Sequence, residues 1–119
     1  MENINILPPP NSGSFYFNYK HDFSVVLMAL VNAEYRFLFV EVGCNGRISD
    51  GGVFTASALY RALESNLLQI PDTNTLPGRN IPVPYTIVAD DAFPLKSYLM
   101  KPFPRNELLD ISKRIFNYR

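Results

Sequence analysis

Apolar residues fall along this chain in blocks of two different periods. Phe15-Tyr16-Phe17-Asn18-Tyr19 is rich in strand formers, Phe23 to Val31 is a longer run of the same kind, and Arg36 to Val42 is a third. The four residues Asn32-Ala33-Glu34-Tyr35 between the last two runs read as a turn, so an antiparallel hairpin of Phe23–Val31 with Arg36–Val42 is expected. Near-continuous apolar character, rather than strict alternation, predicts strands covered on both faces. Past Asp50-Gly51-Gly52 the period changes. Val53, Phe54, Ala56, Leu59, Tyr60 and Leu63 keep helical spacing, with Ser57, Arg61 and Glu64 on the opposite side.

The punctuation between blocks is equally legible. Ile4-Asn5-Ile6 is a short alternating piece stopped by Pro8-Pro9-Pro10-Asn11-Ser12-Gly13, an exposed loop because proline lacks the ladder donor. The prolines, Asp72-Thr73-Asn74 and Gly78-Arg79-Asn80 between Pro71 and Pro84 mark a long surface loop. Tyr85–Ala89 is expected as a fourth strand in the core, and Leu95–Met100 as a short helix ended by Lys101-Pro102. Asn106 is placed to cap a helix through Leu108, Leu109, Ile111, Ile115 and Phe116. The predicted fold is α/β, a mixed sheet opened by an antiparallel meander and flanked by helices. It has neither a regular βαβ repeat nor a glycine-rich phosphate fingerprint.

With 119 residues, the chain suits a single domain, 1–119, able to bury roughly 60–70% of its unfolded surface. Apolar residues make up 47% and charged residues 18%, which describes a globular chain rather than a disordered one. The formal net charge is zero, so no global basic excess argues for nucleic acid. Lys96, Lys101, Arg105, Lys113, Arg114 and Arg119 nevertheless gather in the last quarter. A single cysteine, Cys44, excludes an internal disulfide and fits a reducing compartment. With one histidine, His21, and one cysteine there is no thiolate or imidazole cluster, so any metal must take oxygen ligands, which points to magnesium or manganese. No apolar run reaches the roughly 18 residues of a membrane span, and the N-terminus lacks a signal-peptide pattern; an intracellular protein is expected.

Two aspartates stand where an α/β fold can hold a cation. Asp90 closes the run Tyr85-Thr86-Ile87-Val88-Ala89, and Asp50 follows Phe37–Gly43 through the turn Cys44–Ser49. Taken alone, Asp50 reads first as a helix cap, since Ser49-Asp50-Gly51-Gly52 precedes an amphipathic run. For Asp90, with Asp91 beside it, a turn role and a ligand role stay open. His21 reads as a loop or edge residue and Cys44 as a small packing residue. The aromatics Phe15, Tyr16, Phe17 and Tyr19 read as packing before base stacking.

The order of the pieces carries more. Asn11-Ser12-Gly13-Ser14-Phe15-Tyr16-Phe17-Asn18-Tyr19-Lys20, then Phe23–Ala33, then Phe39-Val40-Glu41-Val42-Gly43 are followed by Gly46-Arg47-Ile48-Ser49-Asp50-Gly51-Gly52-Val53-Phe54. Ile87-Val88-Ala89-Asp90-Asp91-Ala92-Phe93-Pro94-Leu95 and Leu99-Met100-Lys101-Pro102-Phe103 complete the series. From about Pro8 to Arg119 this resembles the DDE endonuclease domain of Harbinger (PIF)-type transposases and their domesticated, Harbinger-derived relatives.

The resemblance implies an RNase H-like fold that cuts DNA with a cluster of acidic ligands to magnesium or manganese, in the nucleus. It makes Asp50, the acid of a Gly-x-x-x-Asp-x-x-x-Phe turn, and Asp90, the acid before Ala-Phe-Pro-Leu, catalytic metal ligands. Lys20 matches a Tyr-Lys element for which a phosphate contact is the expected role. By the family's register a first acid falls just before Met1, and a closing glutamate lies beyond Tyr118-Arg119. The expectation is therefore a domain truncated at both ends, binding a divalent ion weakly and cutting little or nothing alone. Glu107 and Asp110 are read as charges at a helix N-terminus instead. The other reading is a non-catalytic module on the same fold that holds DNA or a protein partner, with a homo-oligomer as one way to cover a bare sheet face.

Overall fold

The structure, a computed structural model, describes residues 1–107 and 110–118. The chain folds as two compact units, Met1–Ser65 and Asn66–Arg119.

The first unit is a three-stranded antiparallel sheet in the order β1 (Glu2–Asn5), β2 (Ser24–Val31), β3 (Phe37–Asn45), followed by helices α1 (Asp50–Ala56) and α2 (Ala58–Glu64). The expected hairpin is present, with Leu27 opposite Val42 and Ala29 opposite Val40. Its turn is held by the Asn32 side chain, whose Oδ1 accepts from the N–H groups of Glu34 and Arg36, both at 2.9 Å. Tyr35 closes the turn in the left-handed region, φ 61°.

β2 is the central strand and alternates as a half-covered strand does: Ser24, Val26 and Met28 are buried, while Val25, Leu27 and Ala29 are less so. Met28 pairs with Glu41 of β3, whose Oε2 accepts from the Ala58 N–H at 3.1 Å, so this is the face turned to the helices. Val53 and Phe54 of α1 and Leu59 and Leu63 of α2 are buried, and with Val26 and Met28 they form the unit's core. The opposite face is not covered. Phe37 is 67% exposed and Val42 55%, with Val40 and Ile4 exposed as well. The expectation of strands buried on both faces therefore fails for β3, because the unit's helices serve one face only.

Three further expectations change here. Phe15–Tyr19 is not a strand but a chain of turns, with Phe15 N–H bonded to Ser12 O and Phe17 N–H to Ser14 O; Phe17 alone bridges to Phe23. The single helix splits at Ser57, which is extended (ψ 159°) and buried rather than on a solvent face. Ser57 Oγ donates to Phe54 O at 2.6 Å and accepts from Tyr60 N–H at 3.0 Å, ending α1 and capping α2 with one hydroxyl. Asp50 is not the cap of α1 either. Ser49 is, its Oγ accepting from Gly52 N–H at 3.3 Å.

In the second unit the proline-rich span holds only the two-residue pair β4 (Asn74–Thr75) and β5 (Pro82–Val83). β6 is limited to Ile87–Val88 and runs parallel to β7, Leu99–Met100. The core strand expected over Tyr85–Ala89 is thus short and its Val88 is 80% exposed, while the helix expected over Leu95–Met100 ends as a strand. Phe93 and Leu99 supply the buried side chains of this unit. Asn106 lies in a 3-10 turn, Arg105–Glu107, instead of capping a helix; Leu108 and Leu109 fall outside the described residues. Helix α3 is Ile111–Tyr118. Asp110 serves its first turn, Oδ1 accepting from Ser112 N–H at 2.8 Å. Asn117 ties α3 to the preceding segment by bonding both Phe103 N–H (2.8 Å) and Phe103 O (2.9 Å).

Candidate metal centre

Asp50 is positioned by a buried polar network that begins one strand away. Asn18 is 4% exposed, yet both polar atoms of its amide are engaged: Nδ2 donates to Ser24 Oγ at 2.8 Å, and Oδ1 accepts from Lys20 N–H (2.9 Å) and Asp22 N–H (3.1 Å). Ser24 Oγ in turn donates to Asn3 Oδ1 on β1 at 3.1 Å. Ser24 also receives Gly46 N–H on its carbonyl at 2.8 Å. A β-carbon on Gly46 would run into Ser24 Oγ and stand 2.9 Å from Ser24 O and 3.2 Å from Asn18 Cβ, so only glycine permits the approach. Three segments, the Asn18–Asp22 loop, β1 and the Gly46–Asp50 turn, are thereby locked to β2.

The turn delivers Asp50 as the first residue of α1. Since Ser49 does the capping, no hydrogen bond or ion pair engages the Asp50 carboxylate among the described residues. Half-buried, it lines an open hollow of about 300 Å³ together with Asn3, Tyr19, Arg47 and Ser49. Lys20 lies one residue beyond, its Nζ 5.7 Å from the Tyr19 ring centroid.

Asp90 belongs to the second unit. It follows β6 directly, is exposed, and turns one oxygen inward: Oδ1 accepts from Ala92 N–H at 3.0 Å, leaving Oδ2 for another partner. The neighbouring strand pair is fixed by Ile87 N–H to Tyr98 O (2.8 Å) and Ala89 N–H to Met100 O (2.9 Å). Lys101 Nζ bonds the Asp91 carbonyl at 3.1 Å, which fixes the backbone just after Asp90.

The whole run of the chain, residues 2–119, matches the family described as DDE superfamily endonuclease. The chain belongs to the DDE superfamily endonucleases. No curated relative matches it, and no solved structure does. Membership makes DNA the substrate class and a divalent metal the reagent of this endonuclease family. The donor chemistry here suits such an ion: the Asp50 carboxylate is unpaired among the described residues, and the side chains of Asn3 and Ser49, which line the same hollow, each carry a hard oxygen. Ligand number is the weak point, for no group of three or more His, Cys, Asp or Glu close enough to share a metal occurs among the described residues. Nor is any described helix long and apolar enough to cross a membrane.

Sequence reasoning located Asp50, Asp90 and Lys20 but missed what holds the first of them. Asn18 and Ser24 are polar residues inside aromatic and apolar runs, and that mismatch was the available signal. Tyr19, read as packing, is 77% exposed beside Asp50, whereas Phe17 does pack, 5.3 Å from Phe23.

Proposed function

We propose that this chain is an RNase H-like DDE domain of the Harbinger type, one domain over 1–119, with Asp50 and Asp90 as ligands to Mg²⁺ or Mn²⁺. The observation that carries the reading is the Asp50 carboxylate, left without a partner among the described residues in an open hollow while the adjacent serine does the capping. Asp90, with one free oxygen, has the second suitable donor. A bound ion would act as a Lewis acid on a phosphoryl oxygen. The chain's own residues hold and orient: the Asn18–Ser24–Asn3 network keeps the Asp50 turn in place, and Lys20 meets a DNA phosphate. A nuclear location goes with this assignment.

Two-metal hydrolysis needs ions about 3.5–4 Å apart held by several carboxylates. With Asp50 and Asp90 as its two carboxylate ligands, affinity is weak and cleavage by this chain is slight. That shortage favours the second reading, a non-catalytic module that holds DNA or a protein partner on the same fold. Calorimetric titration with Mn²⁺ tests the ligands. Asp50→Asn and Asp90→Asn should each lower the affinity, and the double variant should abolish it. If neither substitution changes Mn²⁺ binding, the ligand assignment is wrong. A plasmid-nicking assay in Mn²⁺ separates the readings, because nicking lost in Asp50→Asn marks the nuclease and binding without nicking marks the module.

A further inference from the structure

We infer that the hollow beside Asp50 takes one unpaired nucleotide of a DNA strand, with Tyr19 as the stacking surface for its base and Arg47 as a contact for its phosphate. This rests on the reading of Asp50 as a metal ligand in a DNA-cutting domain, and adds the state in which the strand enters.

Tyr19 is a large ring left 77% exposed at the edge of the hollow, while its neighbours on the same loop are used in ring contacts: Phe17 meets Phe23, and Phe15 meets Tyr16 at 5.1 Å. Lys20 Nζ stands 5.7 Å from the Tyr19 ring centroid, and with the residue 77% exposed most of the ring surface is open to a base. The ring's backbone is not free to drift. Asn18 before it is buried and Lys20 N–H after it is bonded to Asn18 Oδ1, so the surface is held ready before any ligand arrives.

Arg47 is exposed on the same hollow, and no ion pair holds its guanidinium among the described residues. Arg47 and Lys20 together outweigh the charge of Asp50, which suits a phosphate even before a cation binds. Size decides the state of the DNA. At about 300 Å³ the hollow is at the small end for ligand clefts, the scale of one nucleotide. A paired base is already stacked on both faces, so it reaches a tyrosine ring only from a single strand or after leaving the helix.

The test uses the full chain and a short fluorescent thymidine oligonucleotide, alone and annealed to its complement, read by fluorescence anisotropy at low salt with and without Mn²⁺. The single strand should bind more tightly than the duplex. Tyr19→Ala should weaken single-strand binding by about 5- to 150-fold, the range for losing one base stack, while Tyr19→Phe retains wild-type affinity. Arg47→Gln should reduce the slope of affinity against salt by about one. Because both side chains are exposed, circular dichroism of the variants should match wild type. Equal binding by Tyr19→Ala and wild type, a duplex bound as tightly as the single strand, or no binding of the single strand overturns the inference. Asp50→Asn keeps the two claims apart: if Tyr19→Ala fails while Asp50→Asn keeps the full Mn²⁺ effect, the ligand reading falls and the stacking surface stands.

Discussion

Gly46→Ala is the substitution that weighs the buried network most directly. Gly46 lies outside the left-handed region, so alanine there meets no backbone penalty. By itself it would stabilise by about 0.4–1 kcal/mol through a less flexible unfolded chain. The contacts oppose this. The new methyl would overlap Ser24 Oγ and press on Ser24 O at 2.9 Å and Asn18 Cβ at 3.2 Å. Ser24 O cannot simply retreat, because it accepts Gly46 N–H at 2.8 Å and lies in a central strand. Relief must come from opening Gly46 N–H to Ser24 O, Asn18 to Ser24 and Ser24 to Asn3. At about 0.5–1.5 kcal/mol each, these three total about 1.5–4.5 kcal/mol. Net of the unfolded-state gain, a destabilisation of about 0.5–4 kcal/mol is expected, which brackets the usual cost of core overpacking.

Urea unfolding followed by circular dichroism reads it. With a slope of about 2 kcal/mol/M, the midpoint should fall by about 0.25–2 M. Ser24→Ala removes the closest atom, so adding Gly46→Ala to that background should cost less than in wild type, a coupling of about 0.5 kcal/mol or more. Amide exchange at Gly46, Lys20 and Asp22 should quicken together. A Gly46→Ala protein as stable as wild type, or costs that simply add, would refute the argument that this approach organises the site.

Asp50→Asn should leave stability within about 0.5 kcal/mol of wild type, since the carboxylate has no partner to lose among the described residues; thermal unfolding checks this. Ser57→Ala should cost about 1–2 kcal/mol and lower helical ellipticity, because one hydroxyl both ends α1 and caps α2. Asn117→Ala removes both bonds to Phe103, and faster amide exchange at Phe103 with fraying of α3 should follow, at a cost of about 1–3 kcal/mol.

Much was legible in the order of residues alone. The β2–β3 hairpin followed from apolar runs joined by a turn whose Asn32 side chain satisfies two backbone donors within a few residues. A helix was expected just past Asp50-Gly51-Gly52 and begins three residues earlier, at Asp50, on the local cap of Ser49; the surface course of the proline-rich span was equally local. Local determinants are readable because the groups that satisfy each other are close in sequence.

What escaped depends on partners far along the chain. The apolar run of β3 reads as buried, but burial requires a layer on each face, and the helices of its unit lie on one. A helical period carried through Ser57 without interruption; the break there comes from a hydroxyl caught between Phe54 O and Tyr60 N–H, with Glu41 of β3 taking the next N–H. Leu95–Met100 has the composition for a turn of helix, yet Leu99 and Met100 pair with β6 instead.

The same division runs through the candidate site. Sequence alone marked Asp50 and Asp90 as acids following apolar runs, because a carboxylate beside a turn or strand end is a matter of neighbours. Ser49 caps α1 through a local bond to a residue three positions on, which leaves the Asp50 carboxylate out of the cap, but only the tertiary structure gathered Asn18, Ser24, Asn3 and Gly46 from four segments into one buried network. Desolvation is the reason. Polar groups removed from water must find one another wherever the chain has brought them, and a linear pattern does not record which ones meet.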